Sequence, residues 1–146
     1  MVILSKFAEN LSALMEEKNL NAPALANILH INRSNIRRYL RGERLPNYHL
    51  FINIIEYFNV SSDVLLGRVD YCDTTSFQPI QPFHILFRKA LEETHTSQYE
   101  LQKQLHFSSA TTNAWLSNKS TPSIGHLAQL ADYMELSVDY LLGRIS

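Results

Sequence analysis

The chain has 146 residues, 45% of them hydrophobic and 18% charged, a balance that fits a folded globular protein and excludes a disordered one. Its formal net charge of −1 excludes an overall electrostatic pull toward nucleic acid, so such a function has to rest on a local concentration of charge. There is no apolar run of membrane-spanning length and no basic leader before an apolar core. The single cysteine, Cys72, has no intramolecular partner, so a soluble, cytoplasmic protein without a membrane partner is expected.

VSSDVLLGR at 60–68 returns in outline as LSVDYLLGR at 136–144, 76 residues further on. Carried back without a gap, that offset pairs Phe7 with Phe83, Glu16 and Glu17 with Glu92 and Glu93, Leu25 with Leu101, His30 with His106, Pro46 with Pro122 and Tyr57 with Tyr133. The chain therefore reads as a tandem duplication. A first unit covers 1–68, a linker 69–82 and a second unit 83–146. The linker, VDYCDTTSFQPIQP, has two prolines and no helical period, and spans at most about 45 to 50 Å when extended, enough for independent placement of the units.

In chain order each unit reads as five helices. Phe7, Leu11, Leu14 and Met15 fall one turn apart, as do Phe83, Phe87 and Leu91, so each opening helix carries an apolar stripe ending near Asn19 or His95. The second helix starts at Asn21 with Pro23 in its first turn, and in the other unit with Ser97-Gln98-Tyr99-Glu100, the pattern of a capping box. After turns at His30-Ile31 and His106-Phe107, Asn32 and Ser108 are positioned to cap a third helix. That helix stops at Gly42 or Asn118, the two residue types best suited to a left-handed position. Pro46-Asn47 and Pro122-Ser123 open a fourth helix with apolar positions Phe51, Ile54, Ile55 and Phe58, matched by Leu127, Leu130, Ala131 and Met134. Ser61 and Ser137 precede a short fifth helix. The expected fold class is all-α, two tandem units of about 65 residues each, near the lower size limit for a self-sufficient core.

A short helix, a tight turn and a second helix over 33–41 make a helix-turn-helix, the arrangement whose later helix enters the DNA major groove. On ALANILHINRSNIRRYLRGERLPNYHLFINIIEYFNVSSDVLLG and its repeat ELQKQLHFSSATTNAWLSNKSTPSIGHLAQLADYMELSVDYLLG, the chain resembles the lambda repressor-like, Cro-type helix-turn-helix family (the XRE family). The resemblance implies a transcriptional regulator, a repressor of bacterial or phage origin, with double-stranded DNA as partner. The two units and the linker account for nearly all of the chain, so no small-molecule effector domain is evident and no cofactor is expected.

Within 33–41, a rotation of 100° per residue gathers Ile36, Tyr39 and Leu40 on one side and Ser34, Arg38 and Arg41 on the other, flanked by Arg33 and Arg37. Arginine suits such a surface because its fork donates two hydrogen bonds to guanine or clamps a phosphate. By position in the family, Arg33, Ser34, Asn35 and Arg38 are implied to contact bases, while Asn21, Arg37, Arg41 and Arg44 are assigned to phosphates. A merely solubilising face would intersperse acids among these arginines, the nearest arrangement here being a local pair of Arg44 with Glu43.

The second unit keeps inward positions as Thr112, Trp115 and Leu116, but the outward ones become Ala110, Ala114 and Ser117, with Lys119 as the only cation expected nearby. Two readings stand side by side. In one it is a weak second DNA module using Gln98, Ser109, Thr111, Asn113 and Lys119; in the other it serves homodimerisation or partner binding. Catalysis is not expected. The histidines are scattered without metal-site spacing, and neither a glycine-rich phosphate loop nor a serine nucleophile elbow occurs. The remaining alternative is a protein-interaction module of antirepressor or antitoxin-like type, because the scaffold alone does not compel DNA binding.

Overall fold

The computed structural model describes residues 2–74 and 76–146, and among them the chain forms helices and no strands. It divides into two units, Met1–Ser76 and Phe77–Ser146. The first contains α1 (Val2–Glu17), α2 (Ala22–Leu29), α3 (Arg33–Leu40), α4 (Tyr48–Phe58) and α5 (Ser62–Leu65). The second contains α6 (Phe83–Glu93), α7 (Gln98–Leu105), α8 (Ser109–Leu116), α9 (Ile124–Met134) and α10 (Val138–Leu141).

In the first unit α1 packs on α3 and α5, and α2 on α3 and α4. The expected stripe residues Phe7, Leu11, Phe51, Ile54 and Ile55 are fully buried together with Leu25 and Ile36. Tyr39 on α3 meets Phe7 edge-on at 6.2 Å between centroids, and Phe7 lies 6.3 Å from Phe51. In the second unit α8 packs on α6 and α7, and α10 on α6 and α9. Trp115 takes the place of Tyr39, with ring centroids 5.8 Å from Phe87 and 5.1 Å from Phe107. The edge-on contacts of Tyr39 and Trp115 suit the ring quadrupole and add to the area buried.

Most helix starts use the expected caps. Asn21, Asn47, Ser61, Ser97, Ser108, Ser123 and Ser137 each accept a hydrogen bond from a backbone N–H three residues on. The capping box is complete, with the Ser97 N–H donating to Glu100 Oε1 at 3.4 Å. Asn32 is the exception. It holds the N-cap position of α3 with extended backbone, yet its side chain makes no capping bond.

Helix ends repeat as strictly as starts. The described residues with positive φ are Asn19, His30, Gly42, Asn59 and Gly67 in the first unit, and His95, His106, Asn118, Glu135 and Gly143 in the second. Every one has its counterpart 76 residues away. The backbone stops are therefore duplicated even where the residue type has changed. The last turn is also tied down twice, by an ion pair of Asp63 with Arg68 and by one of Asp139 with Arg144 at 2.9 Å. Charges buried this deeply are tolerable only as partners.

The expected linker extends less far than the sequence suggests. The Gln78 N–H donates to the Arg144 carbonyl at 2.8 Å and the Gln81 N–H to the Leu142 carbonyl at 3.1 Å, while the Phe77 ring lies 4.0 Å from the Arg144 guanidinium. Residues 77–82 thus belong with the second unit. Pro79 and Pro82 prevent them from extending α6 backward as α1 extends to Val2, but an extended segment still donates backbone bonds.

Glu135 is the one left-handed position of the ten held by a residue type with no local tolerance for it. Glu135→Gly is expected to raise unfolding stability by about 1 kcal/mol, read from chemical denaturation. Asn59→Gly, at the equivalent position, is expected to change little.

Candidate nucleic-acid interface

The turn between α2 and α3 is built by His30, left-handed at φ 58°, and closed by the Ile31 N–H donating to the Ala26 carbonyl at 3.0 Å. α3 then presents two different sides. Ile36 and Tyr39 are buried and Leu40 is half-buried, whereas Arg33, Ser34, Arg37, Arg38 and Arg41 are exposed. Asn35 is half-buried, with its N–H donating to the Asn32 carbonyl. Asn21 is exposed at the start of α2, its Oδ1 engaged with the Ala24 N–H at 2.9 Å.

The end of α3 is a Schellman turn: the Gly42 N–H donates to the Tyr39 carbonyl and the Glu43 N–H to the Arg38 carbonyl. That turn folds Glu43 back beside the arginines. There Glu43 pairs with Arg41, whereas a merely solubilising face suggested its neighbour Arg44 as the local partner. The hydrogen bond between them raises the Arg41 guanidinium above its ordinary pKa and lowers the Glu43 carboxyl below its own, with Arg38 adding to the latter. An acid at this place would oppose the negative end of the helix dipole, and the cations beside it offset that. Burial raises the pKa of the Tyr39 hydroxyl, and the nearby Arg44 cation partly lowers it again.

In the second unit the same frame carries different chemistry. Thr112 and Trp115 are buried and Leu116 half-buried. The Thr112 hydroxyl donates to Gln98 Oε1 at 3.2 Å, so a polar group in the Ile36 position is satisfied by a glutamine in the Ala22 position. Gln98 was expected as a DNA contact, and its carbonyl end is now committed inward. The Thr111 hydroxyl is engaged with that of Ser108 at 2.9 Å in the cap of α8. Ser109 and Asn113 are exposed, as is Lys119. Lys119 is not the only cation here. Arg88 from α6 lines the same cleft, together with Gln98, Asn113, Ala114 and Ser117. Sequence reasoning missed it because it lies on another helix; the substitution of arginine for Ser12 across the repeat was the available signal.

The family described as Helix-turn-helix matches the chain twice, over residues 11–65 and 87–141, two stretches again 76 residues apart. The chain belongs to this family, in its Cro-type, XRE class. It is thus a DNA-binding transcriptional regulator of that class. No curated protein and no solved structure matches it. Among the described residues no helix is long and apolar enough to cross a membrane, and no group of three or more His, Cys, Asp or Glu could hold a metal ion.

Proposed function

We propose that the chain is a sequence-specific regulator of transcription, acting as a repressor, whose first unit reads the major groove of duplex DNA with α3. The observation that carries this reading is the division of α3 into a side buried through Ile36 and Tyr39 and a side exposing Arg33, Arg37 and Arg38, continued by Arg41 at its C-cap. The buried side fixes the rotation of the helix, so the arginines point outward together. Like charges at spacings of one, three and four residues repel, and a partner rich in phosphate reverses that cost.

In this reading Arg33, Ser34, Asn35 and Arg38 face base edges, where a guanidinium fork matches guanine O6 and N7. Asn21, Arg37, Arg41 and Arg44 hold phosphates and set the register. Glu43 then competes with phosphate for Arg41, and an exposed ion pair of this kind is weak enough to be exchanged. Occupying a site excludes other proteins from it, which is the simplest route to repression.

Selection of bound duplexes from a random pool, using the full chain at moderate salt, tests the reading. A recurring half-site is expected, and an unenriched pool would remove it. Arg38→Ala is expected to cost about 1 to 3 kcal/mol in binding and to relax preference at one base pair. Arg41→Ala should instead weaken binding to all sequences and lower the slope of log affinity against log salt by about one. Glu43→Gln, which releases Arg41, is expected to act in the opposite direction, tightening binding to any duplex and steepening the salt dependence; anisotropy titrations over a salt series read both.

A further inference from the structure

On the first unit a cleft of about 140 Å³ lies between α1 and α5, lined by Asn10, Ala13, Leu14, Val60, Val64 and Leu65, with no residue of α3 in its mainly apolar walls. Its shape is fixed in advance, because the Asn10 side chain donates to the Val64 carbonyl at 2.9 Å and to the Leu65 carbonyl at 3.1 Å, tying one wall to the other. Across the repeat two of the lining positions change in a concerted way. Tyr140 replaces Val64 and Lys89 replaces Ala13. The Tyr140 side chain reaches from α10 to α6, where its hydroxyl donates to Glu93, and the Lys89 ammonium lies 5.5 Å from the centre of its ring and 3.7 Å from Glu93. One ring, one cation and one carboxylate thus complete the seam of the second unit. The first keeps only the carboxylate. Glu17, at the position of Glu93, is exposed, and its side chain has no hydrogen bond or ion pair among the described residues.

We infer that the cleft between α1 and α5 is an anchor pocket for a tyrosine side chain of a different protein, presented beside a cationic residue. What fills the site in one unit defines what the other lacks: a planar ring for the apolar walls, a hydroxyl to donate to Glu17 and a positive charge next to it. An aromatic ring with a polar tip, seated in a pocket, is the kind of side chain that carries an interface. A cleft already held open by Asn10 needs no ordering when the ring arrives. Glu17 supplies the complementarity of charge, since a lone carboxylate at that position attracts a cation and repels an acid. The chain's own nearby tyrosine, Tyr71, is 76% exposed and contributes nothing to the walls. The inference goes beyond duplex recognition and does not depend on it, because a side chain seated here leaves the arginines of α3 untouched.

The test titrates the full chain, followed by NMR, with p-cresol as the tyrosine side chain alone and with two short peptides that carry one tyrosine beside either a lysine or a glutamate. Saturable shifts at Ala13, Leu14, Val60 and Val64 are expected, with p-cresol binding in the range of about 1 to 10 mM. The lysine peptide should bind about twofold or more tighter than the glutamate peptide at low salt. In a chain carrying Glu17→Gln, an exposed change that leaves the fold intact, that preference should vanish. Ala13→Lys with Val64→Tyr installs the second unit's own ring and cation and should abolish every shift, with circular dichroism checking that the chain is folded. Absence of saturable shifts in the wild type, or shifts undiminished in the folded double variant, would overturn the inference, as would a peptide preference that survives Glu17→Gln. Binding of p-cresol but of neither peptide would also overturn it and turn the cleft toward a free aromatic ligand. A dimer in sedimentation that the double variant abolishes would overturn it too, making a second copy of this chain the occupant.

Discussion

One buried aromatic ring on the third helix of each unit fixes the direction of everything on the helix's other side. Tyr39 lies edge-on to Phe7, and Trp115 sits among Phe83, Phe87 and Phe107. A helix of eight residues has too few hydrogen bonds of its own to hold its place. The ring supplies what the backbone cannot: it pins both rotation and depth. The outward residues of α3 and α8 therefore keep their directions despite having almost nothing in common chemically.

The repeat made most of the fold legible. Caps at Asn21, Asn47, Ser97 and Ser108 and stops at Gly42 and Asn118 are local decisions, governed by one side chain or one backbone angle, so they can be read from a few residues. What escaped was non-local. Residues 77–82 look like a linker because their prolines forbid a helix, and only the tertiary structure shows their N–H groups meeting the carbonyls of Leu142 and Arg144. Arg88 escaped for the same reason, since α6 brings it to a surface that a reading of α8 alone treats as nearly uncharged. The pairing of Glu43 with Arg41 is non-local in the same sense, because the Schellman turn reverses the chain and presents Glu43 to Arg41.

The two units also show how a duplicated core tolerates divergence. Where the first has Ile36 and Ala22, the second has Thr112 bonded to Gln98. A buried hydroxyl without a partner is costly, so the polar change inside is matched by a polar change beside it. On the surface no such matching is needed, and the outward positions were free to change singly. The framework thus constrains substitutions in pairs while the binding face is set by electrostatics.

The packing of Phe77 over Arg144 has a bearing on how this chain can be divided. The planar ring covers one face of a guanidinium whose fork is already spent on Asp139, so the second unit closes with residues that precede its first helix. A fragment begun at Phe83, where the helix starts, would open that cover and strip two backbone donors from the final turn. The natural seam lies ahead of Phe77. Fusion, shuffling or limited proteolysis would leave two intact pieces only if the break falls there, in the stretch that follows Arg68.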